Sequence, residues 1–232
     1  EFNHAFNDIF SFKQNFRFGW YEVNSRAIYN SFLLPDMRTL DRFAFESHTK
    51  YKTVTVDNIG AAKFETGPVQ HYAIVGLDYY YIKTHYNGSF STIAPIDIFD
   101  PVYGAEPDGF EQFALRRESQ NQLGVYAQEQ ALLWDQLMIL VGGRMDFVWA
   151  KDEDIFFDST LKSDDDKFSP RAGIAWEFVP GVSVYGNFSK SFFPQPNFTT
   201  IDGDPLPPET GTQWEGGIKT LYFGGLVQST AA

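Results

Sequence analysis

His48 and His85 are the only residues in this sequence that could serve as a general base, and no motif places a nucleophile beside either one. Together with His4 and His71 they are scattered. No two have the i, i+2 or i, i+4 spacing of a metal-binding pair. Two acidic triplets, Asp152-Glu153-Asp154 and Asp164-Asp165-Asp166, carry the hard oxygens that suit a cation such as Ca²⁺. They lack the glycine and the spacing of a calcium loop, so they read as solvated charge. There is no cysteine, which excludes disulfides and thiolate metal sites. A net charge of −12 argues against nucleic-acid binding, which needs a basic surface. The residues therefore point to no catalytic set, no metal site and no cofactor. What they supply in excess is aromatic rings: 24 Phe, 12 Tyr and 5 Trp. That suits a lipid-facing surface with interfacial girdles better than a soluble core.

The elements that must position these rings are strands. Leu137, Ile139, Val141, Gly143, Met145, Phe147 and Trp149 share one parity, and Gln136, Gly142, Arg144 and Asp146 share the other. A period of two marks a strand with two different faces. Phe168 to Phe178, Val182 to Ser189 and Phe10 to Trp20 repeat it. Connections alternate in length. Tight turns fall at residues 65–68, 133–135, 180–181 and 223–225. Long polar loops are expected at 30–42, 84–119, 151–167 and 194–212. One rim of tight turns and one of long loops is the arrangement of an up-and-down membrane barrel. No apolar run is long enough for a membrane-spanning helix. Phe10, Trp134, Trp176, Phe178, Tyr222 and Phe223 collect near the tight turns, as one interfacial girdle would. About ten strands are expected, the first and last incomplete, with no fixed repeat period that would suggest a solenoid or propeller.

Several segments carry a family resemblance. They are Leu123-Gly124-Val125-Tyr126-Ala127-Gln128-Glu129-Gln130, Val141-Gly142-Gly143-Arg144-Met145-Asp146 and Lys167-Phe168-Ser169-Pro170-Arg171-Ala172-Gly173. Val184-Tyr185-Gly186-Asn187-Phe188-Ser189-Lys190-Ser191-Phe192 and Pro208-Glu209-Thr210-Gly211 followed by Gln213-Trp214-Glu215 continue the series. Ile96-Asp97-Ile98-Phe99-Asp100-Pro101-Val102-Tyr103-Gly104 is similar to an outer loop of the same group. In order and spacing the set resembles the TonB-dependent outer-membrane receptors, in their ferric-siderophore branch. The resemblance implies an all-β fold: a 22-stranded antiparallel transmembrane barrel plugged by a separate N-terminal domain. Residues 1–232 then read as a partial barrel domain, with the plug and the C-terminal strands absent.

By the same implication, the protein binds a ferric siderophore at the surface of a Gram-negative cell and imports it with energy from TonB, coupled through the missing N-terminal region. Iron enters only inside the siderophore, and outer-membrane lipid is the other partner. A plain diffusion porin and a barrel enzyme are the alternative readings. Ligand would be held by aromatic and polar groups of the outer loops, which makes Tyr86, Phe90, Phe99, Tyr103, Phe110, Phe193 and Phe198 the candidates; packing of the loops on one another is the other explanation for them. The loop at 84–119 is expected to fold over the barrel mouth. Phe16, Ile139, Ile174 and Val184 should face lipid, while Lys13, Arg17, Arg144 and Tyr185 face the lumen. Arg144 and Arg171 are expected to pair with Asp146 and Glu177, and a serine at Gly142 should be tolerated.

Overall fold

The computed structural model describes residues 1–232 except 197, 223 and 225. The described residues form ten strands: β1 Phe2–Ala5, β2 Phe10–Leu33, β3 Thr39–Thr66, β4 Val69–Asp97, β5 Glu111–Leu133, β6 Leu137–Asp154, β7 Ser159–Val179, β8 Val182–Phe193, β9 Glu209–Tyr222 and β10 Val227–Ala231. They make one antiparallel sheet in which every strand pairs with its sequence neighbours, from β1 at one edge to β10 at the other. The layer stands alone. Ala44, Ile93, Val148 and Ala150 are the only buried apolar residues among those described. Large side chains that a soluble domain would bury are open instead: Phe16 is 62% exposed and Trp214 77%.

Register assigns each residue to a side, because directly paired residues share one. Arg144 pairs with Tyr126 on β5 and Ser169 on β7, and Asp78 on β4 pairs with Gly124 and Asp57. This polar side also holds Lys13, Arg17 and Tyr185. Phe16, Ile139, Ile174 and Val184 lie on the opposite, apolar side. On β2 the apolar stretch of that side runs from Phe10 to Trp20, interrupted only by Gln14, which donates to Asn58 at 2.7 Å. Eleven residues at about 3.3 Å each, tilted by about 45°, rise roughly 25 Å, the height of a barrel's hydrocarbon belt.

Aromatic rings edge the belt at both levels. Phe10, Trp134, Trp176, Phe178 and Tyr222 lie at the tight-turn end. Phe223 lies outside the described residues, as does part of its turn. Trp20, Tyr81, Trp149 and Trp214 mark the far end, and Phe188, lower on β8, touches Trp214 with centroids 4.5 Å apart. The tight turns need left-handed backbone. At Leu133–Gln136 the Gln136 N–H donates to the Leu133 carbonyl, with Trp134 and Asp135 at φ 54° and 57°. That is the twist-matched hairpin turn, here made without glycine.

The strands run further than the sequence suggested. The loops shrink to 34–38, 98–110, 155–158 and 194–208. Beyond the belt both sides of a strand meet water, so the apolar–polar contrast that marks a strand in sequence disappears. β2 continues to Leu33, β4 runs on through His85 and Asn87 to Asp97, and β6 runs on to Asp154.

Arg144 ties the polar side together. Its Nε donates to both Asp146 oxygens at 2.8 and 2.9 Å, and its two terminal nitrogens hold Asp78 across β5. Gln122 adds a donor to Asp146 at 2.9 Å. Tyr126 reaches Asp57 at 3.2 Å, and Asn15 also bonds Asp57, at 3.3 Å. Five strands, β2 to β6, are thus linked above the backbone ladder. Gly124 makes room for this: a Cβ there would lie 1.9 Å from the Arg144 guanidinium. Arg171 does not pair with Glu177; Glu177 accepts the Gly181 N–H instead, at 2.9 Å, and braces the turn. Nor would a serine at Gly142 be easily tolerated, since its Cβ would meet the Ala127 carbonyl oxygen at 2.9 Å.

Two outcomes follow for the complete barrel refolded in lipid. Val75 is central in the apolar stretch of β4, while Ile139 lies close to the tight turns. Val75→Arg should cost about 2–4 kcal/mol and Ile139→Arg less, with Asn187→Arg on the polar side near neutral. Equal losses at all three in a denaturant titration would overturn the side assignment. Arg144→Met, which strands Asp78 and Asp146, should cost about 3 kcal/mol by the same titration. A loss below about 0.5 kcal/mol would show that the bracket is not a stabilising element.

Candidate ligand-binding surface

Beyond the belt, strands β2 to β5 continue as a tall wall. On the polar side of this wall aromatic rings meet in a row. Tyr29 stacks on Phe43 at 5.5 Å between centroids and meets Phe45 edge-on at 6.3 Å. Phe45 contacts Phe113 at 6.0 Å, and Phe113 contacts Phe90 at 6.0 Å. Phe45 and Phe90 are direct register partners, so alternation alone puts them together. The rings stay partly open: Tyr29, Phe90 and Phe113 are exposed. Tyr86 follows Phe90 along the same side of β4. Its ring lies over Gly88, where a Cβ would sit 2.6 Å from the phenol oxygen. Burial pushes the Tyr86 phenol above its ordinary range, against the opposing pull of Arg116.

Two of the seven residues proposed from sequence, Tyr86 and Phe90, therefore belong to this surface, and both stand on β4 rather than in a loop. The other five are not gathered there. Phe99 lies in the 98–110 loop with the Arg38 guanidinium 5.9 Å from its ring, and Tyr103 is exposed in the same loop. Phe110 packs against the Arg26 guanidinium at 4.7 Å. Arg26 pairs with Glu46 on the apolar parity, and Ala44 and Ile93, on that parity too, are buried. The end of the loop is thus fastened to the outer flank of the wall instead of folding over the mouth. Phe193 ends β8, and Phe198 sits in the 194–208 loop, where its carbonyl accepts the Leu206 N–H at 2.8 Å; both are exposed. Tyr29, Phe43, Phe45 and Phe113 were missed. Phe43 and Phe45 share a parity in sequence, and carrying that parity past the belt would have found them.

Beside the aromatic row the polar side becomes acidic. Tyr86, Arg116 and Asp154 occupy one register row across β4, β5 and β6. Arg116 donates to Asp154 at 3.2 Å, and the other Asp154 oxygen accepts the N–H groups of Phe156 and Phe157 at 3.0 and 3.1 Å. The next row holds Glu118 and Asp152, and Ser163 and Asp165 follow on β7. The acidic triplets are therefore not simply solvated loops. Asp152 and Asp154 turn inward and are buried, while Glu153 turns out to Lys151. Burial, reinforced by the charge of Asp154 and opposed by Arg116, holds the Asp152 carboxyl above its ordinary range. Among the described residues no group of three or more His, Cys, Asp or Glu side chains could hold a metal ion.

The opposite flank at this level is basic. Lys50, Lys52, Lys83, His85, Arg117 and Lys151 cluster there by register. Burial first, then Lys83, Arg117, Lys52 and Lys50, lowers the His85 pKa. His85 sits among cations. His48 bonds Asn24 and lies 3.4 Å from Glu22.

Known proteins share this architecture. Residues 1–232 match the family described as TonB dependent receptor-like, beta-barrel. The ferrioxamine B receptor of Salmonella typhimurium is 33% identical over 229 residues, covering 99% of this chain and 32% of that protein. The ferrichrome outer membrane transporter/phage receptor of Escherichia coli K12 is 28% identical over 246 residues, covering 94% and 32%. Among solved structures, the siderophore receptor PiuA of Acinetobacter baumannii superposes with a TM-score of 0.77 at 17% identity, over 98% of this chain and 38% of that one. The ferric-catecholate import receptor Fiu of E. coli K12 gives 0.79 at 16%, over 98% and 38%. The chain spans about a third of the length of these curated relatives, and it belongs to the TonB-dependent receptor β-barrel family.

Proposed function

We propose that this chain supplies part of the wall and outer vestibule of a transporter in the outer membrane of a Gram-negative bacterium. The whole protein captures a ferric siderophore at the cell surface and imports it with energy delivered through TonB, which engages a region outside these residues. Iron is cargo, carried inside the siderophore, and no covalent chemistry is involved. The observation that carries the reading is the open aromatic row Tyr29–Phe43–Phe45–Phe113–Phe90, on the polar side and above the belt. Rings held on paired strands give a large apolar contact at little cost in rotamer freedom, which suits a bulky amphipathic chelate. The names of the curated relatives, receptors for ferrioxamine and ferrichrome, support the same ligand class.

Membrane lipid is the second partner. The apolar side with its two aromatic edges fits hydrocarbon, and the lysine-rich flank above it meets anionic headgroups.

The test uses the full-length receptor in cells without another ferrioxamine receptor. Phe45→Ala with Phe113→Ala should leave surface abundance unchanged. Uptake of ferric ferrioxamine B at limiting concentration should fall at least tenfold, about 1.4 kcal/mol of binding. Replacing residues 99–107 by a short Gly-Ser linker should have a smaller effect, because β4 and β5 remain whole. Normal uptake by the double variant, with the loop variant impaired, would move the site to the loops.

A further inference from the structure

We infer that the acidic corner beside the aromatic row seats a protonated amine of the ligand. This rests on the siderophore reading and narrows it to chelates that carry a cationic end. Asp152 and Ser163 are each only 8% exposed. Asp152 Oδ1 and Ser163 Oγ are the only buried side-chain polar atoms among the described residues that lack a hydrogen bond. They are close neighbours on one side of the sheet, since Ser163 pairs with Ala150, two residues before Asp152. Buried acceptors are ordinarily satisfied, and two orphans together call for a donor from elsewhere.

The surroundings say what kind of donor. Arg116 is already engaged by Asp154, and Asp154 is committed to Arg116 and two backbone amides. Asp165, with Lys167 beside it, lies on the same side, and the raised Asp152 carboxyl is in keeping with an acceptor that lacks a cation. A hard metal ion wants six or more oxygens, and no suitable group exists among the described residues. An ammonium is compact and brings three donors, so it can serve a carboxylate and a hydroxyl together. The sheet is one layer thick, so no second layer of strands closes over the corner. Tyr86 and Asp154 are two strands apart in one row, about 10 Å. A chelate lying on the rings would reach the corner with a short amine-bearing arm.

The probes are an iron-loaded linear trihydroxamate ending in a primary amine and the same chelate with the amine acetylated. Binding is measured on the full-length receptor in outer-membrane vesicles. The wild type should bind the amine form at least tenfold more tightly. Asp152→Asn should bring the amine form down to the level of the acetylated one and leave the acetylated form unchanged. The wild-type comparison needs no variant, and the acetylated probe reports whether the variant is folded. Equal affinity of the wild type for both probes would overturn the inference and leave siderophore binding standing, as would a variant that weakens both alike. Binding of neither probe at normal abundance would overturn both readings.

Discussion

Every backbone N–H and C=O in a lipid-embedded segment must find its partner within the protein, and this constraint shapes the whole chain. A single layer of strands can meet it only if each strand is bonded along both edges through the belt. The strands from β3 to β8 do so, with registers that run unbroken through the belt for β3, β4, β5 and β6. Because side chains alternate, the pairing also sorts chemistry. A slip by one residue would turn Arg144 and Asp146 toward hydrocarbon and Met145 and Phe147 toward water. Register and sidedness are therefore one property.

The polar side adds a second layer of specification. Arg144 holds Asp78 two strands away and Asp146 on its own strand, so the guanidinium reads register across three strands at once. Gly124 and Gly76 leave room for the Arg144 side chain and the Tyr126 ring. The same ordered wall carries the aromatic row and the acidic corner outward, past the level where the membrane would stop. The candidate surface thus inherits its geometry from paired strands rather than from a flexible loop.

The fold was legible in the sequence where the solvent contrast is strong. Leu137 to Trp149 and Phe10 to Trp20 alternate because one side meets hydrocarbon and the other water, with Met138, Leu140 and Val148 on the polar parity and Gln14 on the apolar one as exceptions. Past Trp20, Tyr81 and Trp149 the contrast ends, and residues such as Asn30, Asn87 and Asp152 read as loop although they are strand. The site was less legible for the same reason. Tyr86 and Phe90 stood out as aromatics in a supposed loop, while Tyr29 and Phe113 join them only through pairing across β2 to β5. The Arg144–Asp146 pair follows from spacing along one strand, but the Asp78 contact needs two registers. That Glu177 braces its turn instead of meeting Arg171 depends on side-chain reach, which alternation does not encode.

The central claim is that one parity of each strand faces lipid and the other an aqueous interior. Residues 1–232 include no cysteine, so a label placed among them competes with no thiol of this segment. Spin labels at consecutive positions 139 to 148 in the reconstituted full-length protein would report oxygen and water-soluble nickel-chelate accessibility. A period of two is expected, with oxygen maxima at 139, 141, 143, 145 and 147 and the nickel chelate in antiphase. A flat profile, or maxima at the even positions, would contradict it.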